Sequence, residues 1–163
     1  MNTKTISQQI KECLENKDKA TIGFNKEMTY IVTSMANKNR KDETINEIKD
    51  KYMTAKTENP DCIIIYAGPY FWKYREKIKL GDLNPLLDSD FREEITEIQD
   101  TLPDYSNMDR IQTIMNTVKR SWHLLAPLEQ ETLKKKFKLM VAHYATYVGA
   151  EKKMKELKKI DKN

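Results

Sequence analysis

The chain has 163 residues, 39% of them apolar and 33% charged, with a formal net charge of +4. That length suits one domain with an ample core, and the balance suits a helix-rich globular protein rather than a disordered one. With only 4 glycines and 2 cysteines, a backbone cradle for phosphate and a disulfide scaffold are both excluded.

The opening, MNTKTISQQIKE, has no apolar run, so no secretory signal is expected and the protein is read as intracellular and soluble. Ile6, Ile10, Cys13 and Leu14 then mark a first helix. Phe24, Met28, Ile31 and Met35 mark a second, at spacings that keep one face apolar. Ile45, Ile48, Tyr52 and Ala55 mark a third, with Asp42 as its N-cap. Asn59-Pro60 breaks the chain, and Pro60 suits the first position of a new helix.

Residues 63–66, IIIY, form the only strand-like run. No second such run exists to pair with, so the stretch is read as a buried helical turn. Gly68 is expected to close it, and Pro69 to open an aromatic helix that stops at Gly81. Asp82 to Leu87 is a tight connection containing Pro85. Asp90 and Glu93 read as a capping box ahead of Phe91, Ile95, Ile98 and Leu102, and Pro103-Asp104 as a turn. Ser106 and Asp109 read as a second capping box before Ile111, Ile114, Val118, Trp122 and Leu125.

Pro127 starts a last long helix with Leu133, Phe137, Met140, Val141, Tyr144 and Val148 on one face. The short connection at 126–127 forces the final two helices into a hairpin or a sharp corner. Residues 150–163 are a basic helical extension, expected to fray at its end. The expected fold is all-α: a single compact domain, 1–149, of seven or eight helices ending in a helical hairpin.

Catalytic chemistry is missing from the pattern. His123 and His143 fall on separate helices with no HExxH spacing or cysteine pair, so no metal or other cofactor is expected. No GxSxG is present, and Glu93, Glu94, Glu97 and Asp100 read as a solvated acidic face rather than an acid–base pair. Cys13 and Cys62 sit among apolar neighbours and read as buried, reduced thiols. The longest apolar run, Cys62 to Ala67, is far too short to span a bilayer. The expectation is a non-enzyme with no membrane and no small-molecule substrate.

Two features point to partners. Tyr70, Phe71, Trp72 and Tyr74 crowd one and a half helical turns, more ring surface than one buried face can hide. Trp, Tyr and Arg dominate interface energetics, so Tyr70, Trp72, Tyr74 and Arg75 are the expected partner-binding residues. The charge is also uneven: residues 61–118 carry a net −5 and residues 119–163 a net +7. Lys119, Arg120, Lys134, Lys135, Lys136, Lys138, Lys152 and Lys153 are the candidates for a phosphate-binding surface.

Two resemblances extend this reading. YFWKYREKIKLGD, an acidic stretch, and VKRSWHLLAPLEQETLKKKFKLMVAHYA together resemble small helical proteins of nucleocytoplasmic large DNA viruses. The shared pattern is an aromatic segment ending in a charged turn, then Lys-x-x-Trp-x-x-Leu, here Lys119, Trp122 and Leu125, over residues 60–150. The resemblance implies a virion-associated or assembly role and no enzymatic residues. PYFWKYREKIKLGDLNP and WHLLAPLEQE also resemble the first helix and the Trp-x-x-Leu-x-Pro-x-Glu junction of the high-mobility-group box. That likeness implies DNA bending with Phe71 or Tyr70 in the minor groove, although an acidic insertion separates the two pieces here. The leading reading is a non-enzymatic viral structural or assembly component that binds another protein or itself. The alternative is a nucleic-acid-binding protein that uses its basic C-terminal third.

Overall fold

The computed structural model describes residues 3–88 and 108–162, with side chains for all but 108–115. The described residues form seven helices and no strand. These are α1 (Ile6–Lys38), α2 (Glu43–Glu58), α3 (Pro60–Lys73), α4 (Arg75–Lys79), α5 (Asn84–Leu87), α6 (Met108–Leu124) and α7 (Pro127–Asp161). The protein is all-α. The expected capping boxes at Asp90–Glu93 and Ser106–Asp109, and the turn at Pro103, lie outside the described residues.

Helices α1 and α7 are the two long members and run antiparallel, in contact along most of their length. Lys17 meets Glu151 near one end and Lys38 meets Glu129 at the other. The two helices expected within residues 6–35 are one continuous α1. Its N-terminus is fixed reciprocally: Thr5 Oγ1 accepts from Gln8 N–H at 3.1 Å, and Gln8 Oε1 accepts from Thr5 N–H at 2.9 Å. No proline interrupts the polar stretch after Leu14, and Ala20 is buried between Cys13 and Phe24. Spacings of seven and four keep that stripe on one face, so the helix has no reason to stop.

Gly68 and Pro69 also fail to break the chain. Helix α3 runs through both, and IIIY is helical within it. Pro69 lies on the exposed side of α3, where a carbonyl that loses its N–H donor can turn to water. The break falls instead at Tyr74, whose φ of −103° and ψ of 16° leave the helical range. After α4, Gly81 adopts a φ of +78°. Its N–H donates to Ile78 O and that of Asp82 donates to Lys77 O, both at 2.9 Å. This is the Schellman end for which glycine is suited.

Asp42 caps α2 as expected, Oδ1 accepting from the N–H groups of Thr44 and Ile45. The α2–α3 corner is held to α1 by polar contacts. Tyr52 OH donates to Asn25 O and Asn25 Nδ2 donates to Pro60 O, each at 2.9 Å. The tyrosine proton is thereby committed, so the Thr29 hydroxyl is the donor in its own 2.9 Å contact with Tyr52. Burial pushes the Tyr52 phenol up, which keeps it neutral.

The main core gathers Phe24, Ile31, Ile64, Phe71, Ile78, Trp122, Leu133, Phe137 and Met140. A smaller cluster joins Cys13 of α1 to Ala150, Met154 and Leu157 of α7, with Ile6 and Ile10 beside it. Residues 150–161 are therefore helix seated on the start of α1. On α7, Tyr147 is buried and Val148 is exposed, one position off the expected stripe. Cys13 is buried, Cys62 half-buried, and both are free thiols. Burial first and Asp61 second raise the Cys62 thiol, so it is a poor nucleophile.

Candidate functional site

The aromatic segment divides between two environments. Phe71 is at the centre of the core, its ring 6.2 Å from that of Phe24 and 5.5 Å from that of Phe137. Tyr70 and Tyr74 are half-buried against the same core, their rings 5.3 Å apart. The Tyr70 hydroxyl donates to Leu86 O at 2.6 Å, tying α3 to α5. Trp72 alone of the four faces outward, with 38% of its surface exposed.

Trp72 is nevertheless fixed. The Arg75 guanidinium lies 4.6 Å from the centre of its ring, and the Tyr144 ring meets it edge-on at 6.0 Å. Arg75 Nη1 also donates to the Trp72 carbonyl at 2.9 Å. The i, i+3 spacing places cation over ring on one helical face, across the kink at Tyr74. Burial raises the phenols of Tyr144 and Tyr147, with Glu151 adding to it, so both present neutral rings.

Two shallow grooves lie along the seam between α3–α4 and α7, one reaching Arg75 and the other Tyr144, the two residues that hold Trp72. One, of about 280 Å³, has an apolar floor of Ile78, Val141, Ala142 and Ala145 beneath Arg75, Glu76, Lys79 and Lys138. The other, of about 480 Å³, lies over Ile65, Tyr144, Tyr147 and Val148, rimmed by Glu151, Lys152 and Lys155. On α7 they span Lys138 to Lys155, which at 1.5 Å per residue is about 25 Å. Ile65 and Val148 are 46% and 43% exposed, so the strip between the charged rims is apolar and open. Lys79, Lys138 and Lys152 have no acidic partner among the described residues, whereas Lys155 is paired with Glu151.

Four of the eight expected phosphate-binding residues face carboxylates. Lys119 pairs with Asp88, and Arg120 lies 3.4 Å from Asp42. Lys134 pairs with Glu131 at 3.0 Å. Lys136 lies 3.1 Å from the buried Glu27 carboxylate, off the hydrogen-bond direction, and over the Tyr30 ring. Lys135 and Lys138 are exposed on one stretch of α7, Lys152 and Lys153 on another.

A third feature has no counterpart in the sequence reading. Six helices leave a half-enclosed cavity of about 260 Å³ between Met28, Val32 and Met35 of α1, Ile45 and Ile48 of α2, Ala67 and Tyr70 of α3, and side chains of α5, α6 and α7. Every described lining residue is apolar except Tyr70, whose hydroxyl donates to Leu86 O.

Among the described residues no three of His, Cys, Asp and Glu converge on a metal-binding geometry. None of the described helices is long and apolar enough to cross a membrane. Comparison with known proteins finds no matching family model, no matching curated protein and no matching solved structure.

Proposed function

We propose that the chain is a non-enzymatic helical protein acting through protein–protein contacts, and that the Trp72 face receives an amphipathic helix with acidic edges. The observation that carries this is Trp72 itself. Arg75 and Tyr144, each lining one of the two grooves, hold a partly exposed indole between them. A rigid Trp–Arg–Tyr group costs little further ordering when a partner arrives, and these residue types concentrate binding energy. Lys79, Lys138 and Lys152 along the rims, without an acidic partner among the described residues, favour acidic flanks on that partner. The strip's length of about 25 Å matches four to five turns of helix.

The resemblance to helical proteins of large DNA viruses favours a structural or assembly setting for such a contact, in or around a virion. Nucleic-acid binding by the basic third has less support, because half of its candidate cations already face carboxylates within this fold.

The test uses amphipathic helical peptides that share one apolar face and differ only in the sign of their flanking charges. Binding is followed by the fluorescence anisotropy of a dye on the peptide. The acidic-flanked peptide should bind. Trp72→Ala and the pair Lys138→Glu with Lys152→Glu should each abolish binding while circular dichroism shows that each variant remains folded. Equal binding of both peptides, or of neither, rejects the reading.

A further inference from the structure

The cations beside the two grooves are not equivalent. Lys79, Lys138 and Lys152 are point charges on flexible stems, and Lys155 is paired with Glu151. Arg75 is fixed on two sides. Its guanidinium lies over the Trp72 ring, 4.6 Å from the centre, and its Nη1 donates to the Trp72 carbonyl at 2.9 Å. The side chain is still 43% exposed where it lines the groove over Ile78 and Val141. Glu76 does not occupy it: the Glu76 Oε1 is 3.9 Å from Arg75 Nε, beyond hydrogen-bond reach, on a side chain that is itself 80% exposed. Among the described residues, Arg75 therefore keeps most of its planar N–H donors unspent beside an aromatic ring.

That donor set matches one chemical group. A carboxylate accepts two parallel N–H bonds from a guanidinium, a geometry that an ammonium cannot supply. Much of the ordering cost of a long side chain is met in advance by the ring and the carbonyl. Charge points the same way. The groove at Arg75 is rimmed by Arg75, Lys79 and Lys138 against Glu76 alone, whereas Lys155 at the other groove answers its own Glu151. We propose, building on the Trp72 face as the seat of an acidic-edged helix, that Arg75 is its specificity-determining residue: it forks one carboxylate of that helix beside the indole and so sets the helix's register along the seam. Lys79 and Lys138 attract the acidic edge without choosing among its carboxylates.

The test uses a dye-labelled amphipathic helical peptide with glutamates along both edges of its apolar face, and its single Glu→Gln variants, read by fluorescence anisotropy. On the wild-type chain one variant should lose at least about tenfold in affinity, the scale of a charged hydrogen bond, and the others less than about threefold. Arg75→Lys keeps the charge but should weaken the unmodified peptide at least about tenfold, so that it binds no better than the sensitive Glu→Gln variant. Lys138→Gln should weaken every peptide by a similar factor and leave the sensitive position sensitive. A merely structural role for Arg75 would lower all affinities alike and leave that one glutamate as important as before. That result, or Arg75→Lys binding as tightly as wild type, overturns this inference while the Trp72 face stands. Failure of the unmodified peptide to bind the wild-type chain rejects both.

Discussion

The Tyr144 ring occupies the space that a side chain at Gly68 would fill: a Cβ built on Gly68 overlaps the ring edge. Gly68 is buried in mid-α3, where glycine costs about 1 kcal/mol of helix stability relative to alanine. The cost is offset by letting α7 bring Tyr144 against Trp72. Gly149, on the exposed side of α7, has nothing within 4 Å of its would-be Cβ. The two glycines should therefore respond oppositely to the same change. Gly149→Ala should stabilise by up to about 1 kcal/mol, as a plain gain in helix propensity. Gly68→Ala should destabilise by about 1–3 kcal/mol, in the range for overpacking. Urea melts of the two variants decide it, and a Gly68→Ala protein at least as stable as wild type would show that the seat is not tight.

The same glycines show which parts of the fold could be read in advance. Asp42, Pro60 and Gly81 act through their own chain neighbours, and each does locally what its residue type suggests. Gly23 and Gly68 act through residues on α7, His143 and Tyr144, that close over them in space. Nothing local distinguishes a glycine that ends a helix from one that admits a distant ring, so Gly68 reads as punctuation. Residue type singles out Trp72 and Arg75 as partner-binding residues, but does not show that they stack on each other at i, i+3. Tyr144 as the second support of the indole was not legible either, since its position on α7 reads only as core. The half-open pocket was invisible for a different reason: each described lining residue has ordinary core spacing, and only the fold brings them round one space.

Trp122 is the anchor of the turn between α6 and α7. It is buried at 5% exposure, and its ring stands 6.4 Å from that of Phe137. The Trp122 carbonyl accepts from Gln130 Nε2 at 3.0 Å and from Leu125 N–H at 3.1 Å, which ties both sides of the connection together. Trp122→Ala should cost about 3–5 kcal/mol, the usual loss for truncating a core aromatic. A loss below about 1 kcal/mol in denaturant melts would place the side chain at the periphery.

Glu129 makes stability at this same turn depend on pH. Its Oε1 accepts from the Ala126 N–H and from Lys38 Nζ, each at 3.0 Å. The backbone N–H first, and Lys38 after it, hold the carboxyl below the ordinary glutamate range. A depressed folded value means that the unfolded chain takes up the proton more readily. The contribution is therefore complete above the ordinary range and is lost as pH falls through the lower, folded value. Glu129→Gln should be less stable than wild type at neutral pH, and the two should converge in strong acid, where the wild-type carboxyl is itself neutral. Thermal melts across the acid range read this directly, and a gap that persists unchanged to the lowest pH would assign the effect to packing.

The basic third provides the last prediction, where protein and nucleic-acid readings diverge. Each phosphate neutralised on duplex DNA contributes about −0.9 to the log–log slope of affinity against salt. Lys119, Arg120, Lys134 and Lys136 are engaged with Asp88, Asp42, Glu131 and Glu27, so each would have to leave a carboxylate to meet a phosphate. For Lys136 the departure would strand a buried charge at Glu27, which is costly. The remaining pairs, Lys135 with Lys138 and Lys152 with Lys153, lie about 20 Å apart along α7. Engaging only these four would give a slope no steeper than about −3.6. Affinity should stay in the non-specific range of about 10⁻⁴–10⁻⁶ M. Fluorescence anisotropy of a labelled duplex of about 20 base pairs, at two salt concentrations, measures both quantities. Nanomolar binding at physiological salt, abolished by changing Lys134, Lys135, Lys136 and Lys138 to Glu, would reverse the ranking. The ion pairs within the fold would then be resting contacts that a phosphate backbone displaces.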